Sequence, residues 1–277
     1  MIWNRACEQL TGVPATEVLH TREPGRCFYN DERPTLADLV LAGRGGDMRT
    51  LHAQQQYRSS TGSNLCAENW CDMPRTGRRR YLAVDASPIY GNHGELIAVV
   101  ETLRDMTDEK RAQVELERLA TRDGLTGLAN RRGMAAALDD WQAQARPFSV
   151  IAIDIDHFKQ VNDQWGHAVG DDVILRLAQL MRACSRDADV LCRNGGDEFI
   201  MLLPDADLDV AMQVAERLRA KVAAAVIPGA GAITVSLGVV SSSHRDRGTD
   251  AVLLAADAAL YVAKENGRNC VGITEPA

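Results

Sequence analysis

From Arg80 to Leu103 the chain alternates around two apolar, β-branched runs, Tyr81 to Tyr90 and Leu96 to Leu103, parted by the turn formers Gly91-Asn92-His93-Gly94. This predicts the closing hairpin of an N-terminal antiparallel sheet. Between Thr107 and Thr121 the period changes: Ala112, Leu116 and Leu119 share one stripe, with Glu and Arg on the others. A linking helix is expected there, too short for a self-sufficient coiled coil. Beyond Asp123 the pattern predicts a helix (Arg131 to Ala145), a buried strand (Phe148 to Ile155), helical turns (Asp156 to Asn162) and a longer helix (Asp171 to Cys184). A hairpin follows (Val190 to Leu203 around Gly195 and Gly196), then a helix (Leu208 to Ala225), a strand (Ala232 to Val240) and a helix (Thr249 to Asn266). The class is α+β, a sheet with helices on its faces, and no internal repeat is found.

At 277 residues the chain accommodates two domains, each able to bury its own core. A composition of 45% apolar and 25% charged residues is that of a folded protein, not of a disordered or fibrous one. No run approaches the roughly 18 apolar residues that span a bilayer, and Met1 to Leu10 lacks the pattern of a signal peptide. The expected location is therefore the cytoplasm, with no membrane segment in this chain. Seven cysteines, scattered and without a CxxC pair, are expected to be reduced thiols. Of the net charge of −7, most falls after Asp105, where 19 basic residues face 25 acidic ones. An acidic C-terminal half argues against nucleic acid as a partner, but not against a nucleotide held by metals and a few local cations.

Two features of that half carry candidate chemistry. Asp154 closes the apolar run Ser149 to Ile153, so a buried strand fixes its carboxylate at a solvent-reachable end. In the predicted hairpin, Gly195 and Gly196 permit a tight turn and close approach by a phosphate, and Asp197 and Glu198 add two carboxylates. Together they form a hard-oxygen set suited to Mg²⁺ on a triphosphate. By itself a Gly-Gly-Asp turn is more often a solvated hairpin tip.

The surrounding sequence changes that balance. Asp123-Gly124-Leu125-Thr126-Gly127-Leu128-Ala129-Asn130-Arg131-Arg132, Asp154-Ile155-Asp156-His157-Phe158-Lys159, Asn162-Asp163, Gly166-His167 and Gly170-Asp171 precede the turn Gly195-Gly196-Asp197-Glu198-Phe199. Thr234 to Gly238, Ala259-Leu260-Tyr261, Lys264 and Gly267-Arg268-Asn269 follow it. In this order, over roughly Asp123 to Gly272, the chain resembles the GGDEF family of diguanylate cyclases, whose domain resembles the nucleotidyl cyclase/polymerase palm. The resemblance implies synthesis of cyclic di-GMP from two GTP, with release of two pyrophosphates. It implies Mg²⁺, with Mn²⁺ as a substitute, held by Asp154, the carbonyl of Ile155, Asp197 and Glu198. Lys159 would offset transition-state charge, and Asp197, Glu198 or water would accept the proton of the attacking hydroxyl. Asn162 and Asp171, with His167 nearby, would read the guanine edge; Gly195 and Gly196 would admit the phosphates, and Lys264 and Arg268 would grip the β and γ phosphates. Taken singly, Lys159 reads as a solvated helix residue and Asn162 or Asp171 as a helix cap. One site holds one GTP, so a homodimer is implied. Asn194 departs from the family, which more often has a bulky aromatic or apolar residue there.

Members of the family often carry a product-binding RxxD ahead of the signature. Three matches occur, Arg44 to Asp47, Arg186 to Asp189 and Arg247 to Asp250, and only the second has the family's spacing. Arg186, Asp189 and Arg217 are the expected site for cyclic di-GMP as inhibitor. Trp3 to Gly12, the later hairpin and Asp105-Met106-Thr107-Asp108 resemble a PAS sensor domain joined to its output helix, though the one or two strands that usually open such a domain are missing. Either the chain is a fragment, which leaves room for an upstream membrane segment, or its sheet is incomplete. The expected layout is 1–106 for the PAS-like domain, 107–121 for the linking helix and 122–277 for the cyclase domain. The PAS-like domain would take an unidentified small ligand or none. Cys66, Cys71 and His52 match no zinc spacing, and His20, His52 and His93 do not single out haem. The competing functions are a catalytically weak protein that binds GTP or cyclic di-GMP, and a PAS interaction module with a vestigial cyclase.

Overall fold

The structure, a computed structural model, describes residues 1–21, 24–44, 56–57, 64–242 and 249–274. Two compact units divide the chain, Met1–Glu115 and Leu116–Ala277.

The first unit opens with helix α1 (Arg5–Thr11), whose free N-terminal amides are met by the Asn4 side chain and whose end is closed by Gly12 in the left-handed region. The short α2 (Ala15–Val18) and α3 (Leu36–Leu41) follow, the latter held by a reciprocal capping box between Thr35 and Asp38. The sheet is antiparallel in the order β1 (Gln56–Tyr57), β2 (Leu65–Cys71), β3 (Arg80–Tyr90), β4 (Leu96–Asp105). One face of β2 and β3, with Ala67, Cys71, Leu82, Val84 and Ala86, buries against Val18, Phe28, Leu36 and Leu39. The predicted hairpin is thus β3–β4, with Gly91 to Gly94 in its turn. At the end of β4 the Asp105 carboxylate accepts from the Thr107 amide at 3.0 Å and from its hydroxyl, starting α4 (Thr107–Thr121) where the apolar stripe places it.

The second unit is a five-stranded sheet in the order β11-β10-β5-β7-β6, antiparallel except for the pair β10 with β11. Its strands are β5 (Phe148–Ile155), β6 (Val190–Gly195), β7 (Glu198–Pro204), β10 (Val235–Ser241) and β11 (Val271–Ile273), with a separate ribbon of β8 (Val226–Ile227) and β9 (Gly231–Ala232). The helices are α5 (Arg131–Ala143), α6 (Phe158–Trp165), α7 (His167–Arg182), α8 (Leu208–Ala223) and α9 (Thr249–Glu265). Central β5 is apolar from Val150 to Ile153, with Ser149 buried before this run, because both its faces are buried. Ile151, Ile153 and Ile155 pack with Leu177 and Met181 of α7 and Leu218 of α8. Val150 and Ala152 pack with Leu138 and Trp141 of α5 and Ala256 and Ala259 of α9. Each fully buried Val or Ile contributes roughly 1.5–3 kcal/mol, which pins the strand and the carboxylate at its end.

The α+β expectation matches this architecture, with three shifts. The helical turns expected from Asp156 begin at Phe158 and run to Trp165, and the helix expected from Asp171 begins at His167. Gly166, at φ 81, makes the break between them. The strand expected from Ala232 begins at Val235, and β8, β9 and β11 are two- or three-residue pieces too short to show a period. No helix among the described residues is long and apolar enough to cross a membrane.

Candidate active site

The ladder of the second sheet decides which side chains meet. Asp154 on β5 lies opposite Glu198 on β7 and, on its other side, opposite Ser236 on β10. Only two residues, Gly196 and Asp197, turn β6 into β7, and Gly196 takes the left-handed φ of 44 that such a turn favours. The turn therefore hangs over the end of β5, bringing Asp197 and Glu198 to the same edge as Asp154.

Electrostatics reflect the crowding. Burial pushes the Asp154 carboxyl upward; Lys264 pulls it down, and Asp197 and Asp156 push it up again, for a net rise. The Lys264 ammonium lies 2.9 Å from Asp154 Oδ2. A fourth acid, Asp257 on α9, is raised by burial first and then by Glu198, with Lys264 opposing. Sequence reasoning missed Asp257; it sits seven residues before Lys264, on the same helical face, which was the available signal.

These hard oxygen donors fit a divalent cation, since the raising of Asp154 by Asp197 and of Asp257 by Glu198 is relieved by positive charge. Among the described residues no group of three or more His, Cys, Asp or Glu could hold a metal alone. An ion here would complete its coordination with a ligand's oxygens, as Mg²⁺ does with substrate phosphates.

The turn is braced by Arg193, a second residue missed from sequence. Its Nε donates to the Gly196 carbonyl at 3.0 Å, and its Nη1 donates to both oxygens of Asp123 at 3.3 Å. Burial raises the Asp123 carboxyl, but the Thr126 hydroxyl and amide, and then Arg193, outweigh it and hold the group below its usual range. The signal was the acid that opens Asp123-Gly124-Leu125-Thr126 and the cation just before the turn. Asn194 occupies the bulge between Arg193 and Gly195, and its side-chain amide donates to Glu198 Oε2 at 3.3 Å. Asn194 thus touches Glu198 directly.

Beyond β5 the chain enters α6 and α7, which carry Lys159, Asn162, His167 and Asp171. Lys159, His167 and Asp171 are exposed and Asn162 is half-buried. The cap of α7 is Gly166 with no side-chain hydrogen bond, so Asn162 and Asp171 are not spent on capping it. A methyl group at Gly170 would overlap the Asn162 carboxamide oxygen, so glycine there lets the two helices set that amide. Arg268 follows α9 on an exposed loop with φ 61.

A groove of about 370 Å³ lies elsewhere on this unit, lined by Cys184, Ser185 and Arg186 after α7 and by Val210, Gln213 and Arg217 on α8. Asp189 accepts from the Arg186 amide at 2.7 Å, closing the RxxD turn on its own backbone, and Arg217 donates to the Cys184 carbonyl at 2.7 Å. In the other two RxxD matches, Asp47 and Arg247 lie outside the described residues, as does His52. Cys66 and Cys71 are five apart on β2 and so face opposite sides of it.

The model of the family described as diguanylate cyclase, GGDEF domain, matches residues 120–270. Diguanylate cyclase DgcM of Escherichia coli (strain K12) is 39% identical over 201 residues, covering 70% of this chain and 48% of the relative. The chain thus spans about half the length of that relative. A diguanylate cyclase of Vibrio cholerae is 37% identical over 247 residues, covering 87% of this chain and 73% of the relative. Among solved structures, the coiled coil and GGDEF domain of DgcB from Caulobacter crescentus in complex with c-di-GMP matches with a TM-score of 0.57 and 35% identity, over 60% of this chain and 93% of that one. Through its C-terminal unit, the chain belongs to the GGDEF family of diguanylate cyclase domains.

Proposed function

We propose that the chain condenses two molecules of GTP to cyclic di-GMP. The observation that carries this reading is the meeting of Asp154, Asp197 and Glu198 beside Lys264 at one end of the sheet. In each of two steps a 3′-oxygen of one nucleotide bonds to the α-phosphorus of the other, the bond to pyrophosphate breaks, and the hydroxyl proton leaves. Asp197, Glu198 or a water molecule receives that proton. Lys159 stabilises charge on the phosphates, and Lys264 and Arg268 hold the β and γ groups. Asn162 and Asp171 pair with the guanine edge through an amide and a carboxylate, with His167 beside them. Asp154, Asp197, Glu198 and the Ile155 carbonyl would hold Mg²⁺ or Mn²⁺. When bound, the ion polarises the phosphate and acidifies the attacking hydroxyl.

Each C-terminal unit binds one GTP, so two copies of the chain face one another in the active state. The groove at Arg186, Asp189 and Arg217 binds the product, because guanidinium groups stack on guanine and pair with phosphate. The N-terminal unit acts as a PAS-like regulator of this output through α4.

Incubation of the purified chain with GTP and Mg²⁺, followed by nucleotide separation, is expected to yield cyclic di-GMP and pyrophosphate. Bound GTP without product at high protein concentration would instead establish a nucleotide-binding protein. For the groove, Arg186→Ala is expected to abolish product inhibition; unchanged inhibition and unchanged cyclic di-GMP affinity would refute that assignment.

A further inference from the structure

After α9, Gly267, Arg268 and Asn269 take φ values of 101, 61 and 47 in succession. Two consecutive non-glycine residues in the left-handed region persist only where the surroundings over-determine them, and such outliers gather at functional positions. Here the surroundings are explicit. The Arg268 amide donates to the Ala263 carbonyl at 3.2 Å, and the Asn269 amide donates to Asp156 Oδ2 at 3.0 Å. Arg219 on α8 donates through Nη1 to Asn269 Oδ1 at 3.0 Å, while its Nε and Nη2 are anchored on Glu216 at 2.6–3.0 Å.

Asp156 is 5% exposed. It also accepts from the Thr234 hydroxyl at 2.7 Å and the Ser236 hydroxyl at 2.6 Å. With three donors filling its oxygens, this buried carboxylate is satisfied internally, although it lies two residues from Asp154. It ties the loop to the strand pair β5–β10 that carries the carboxylate edge, and Arg219 ties the same loop to α8.

We propose that Asp156, Asn269 and Arg219 are positioning residues that hold Arg268 in the strained conformation with which it grips the outer phosphates of the nucleotide. This rests on the reading of Arg268 as a phosphate ligand. The brace acts on the triphosphate end alone, since none of its hydrogen bonds reaches Asn162 or Asp171.

The test is calorimetric binding to the full chain, with Mg²⁺, of GMP and of a GTP analogue whose α–β bridging oxygen is methylene. Arg219→Gln removes the outer donor, and Asn269→Gly removes its side-chain acceptor, leaving only the longer 3.4 Å bond to the Asn269 carbonyl, while still tolerating positive φ. Both are expected to weaken the analogue about tenfold, the size of one charge-assisted hydrogen bond, with GMP affinity changed less than about twofold. In an Arg268→Ala background Arg219→Gln is expected to add no further loss. Unchanged analogue affinity in both variants, equal losses for analogue and GMP, or additivity with Arg268→Ala would each overturn the brace. If Arg268→Ala itself leaves analogue affinity unchanged, the reading of Arg268 fails and the brace falls with it; loss in Arg268→Ala without loss in Arg219→Gln and Asn269→Gly refutes the brace alone.

Discussion

Glu101 on β4 is the best-defined titrating group outside the active site, and its replacement by glutamine makes a quantitative prediction. The carboxylate accepts from the Ala37 amide at 2.6 Å and from the Thr35 side chain, at the wall of a core cavity of about 20 Å³ also lined by Phe28, Leu82 and Val84. Burial pushes its pKa up to about 7; the bonds from Ala37 and Thr35 lower it, and the nearby Asp38 raises it. Across the cavity stand Tyr29 and Cys71, both raised chiefly by burial, and Cys7 also senses the charge. In the unfolded chain the group titrates at its ordinary 4.5. Between these values the folded state holds a proton that the unfolded state has lost, so stability declines as pH rises through the window. Integrated from pH 5 to pH 8 the decline is on the order of 2–3 kcal/mol. The Glu101→Gln side chain would keep an acceptor oxygen and carry no charge at any pH. The assay is urea unfolding at four pH values, read from amide resonances of Leu82, Val84 and Ala86. Glu101→Gln is expected to gain on the wild type steadily from pH 5 to pH 8. Parallel stability curves over that range would refute the reasoning.

Three further outcomes follow from the second unit. Gly170→Ala forces the Asn162 amide to move, and is expected to weaken guanine nucleotide binding at least about tenfold with little change in thermal midpoint; undiminished affinity would contradict the close approach. Arg193→Ala severs the turn from Asp123, and is expected to lower turnover and to destabilise the unit by ~1–3 kcal/mol, checked by kinetics and denaturant unfolding. Asp154→Asn is expected to reduce cyclase turnover by about a thousandfold or more, the scale of losing several kcal/mol of charge stabilisation. Because burial already disfavours the Asp154 charge, its thermal midpoint is expected to hold or rise.

How much of this is legible in the sequence depends on length and on locality. The run Phe148 to Ile155 is readable to the residue because burial on both faces leaves no polar interruption beyond Ser149 until Asp154. Thr107 to Thr121 is readable because a helix of 15 residues displays its period. By contrast, β11 has three residues and is recruited by β10, a tertiary effect that leaves no local pattern. The boundary between α6 and α7 hinges on the φ of Gly166, which no periodicity encodes. Among site residues, Asp154, Asp197 and Glu198 stand out as chemistry at strand ends. Arg193 and Asp257 do not, since the groups they interact with, Asp123 for the first and Glu198 for the second, come from distant segments of the chain.

That division explains why the turn Gly195 to Phe199 is weak as a motif and strong as a site. Its conformation is local, requiring little more than glycine at Gly196. Its charge environment is not local: Asp154, Asp197, Glu198 and Asp257 come from β5, the turn between β6 and β7, β7 itself and α9, and the Lys264 ammonium lies among them. A fold selected only for stability would dilute four acids around one ammonium, because Asp197 raises the Asp154 carboxyl and Glu198 that of Asp257. Keeping them together favours a state in which more positive charge arrives with a ligand. The same reasoning fixes the direction of the Asp154→Asn outcome: a variant that loses catalysis while keeping or gaining stability is the signature of a carboxylate held for function against the preference of the fold.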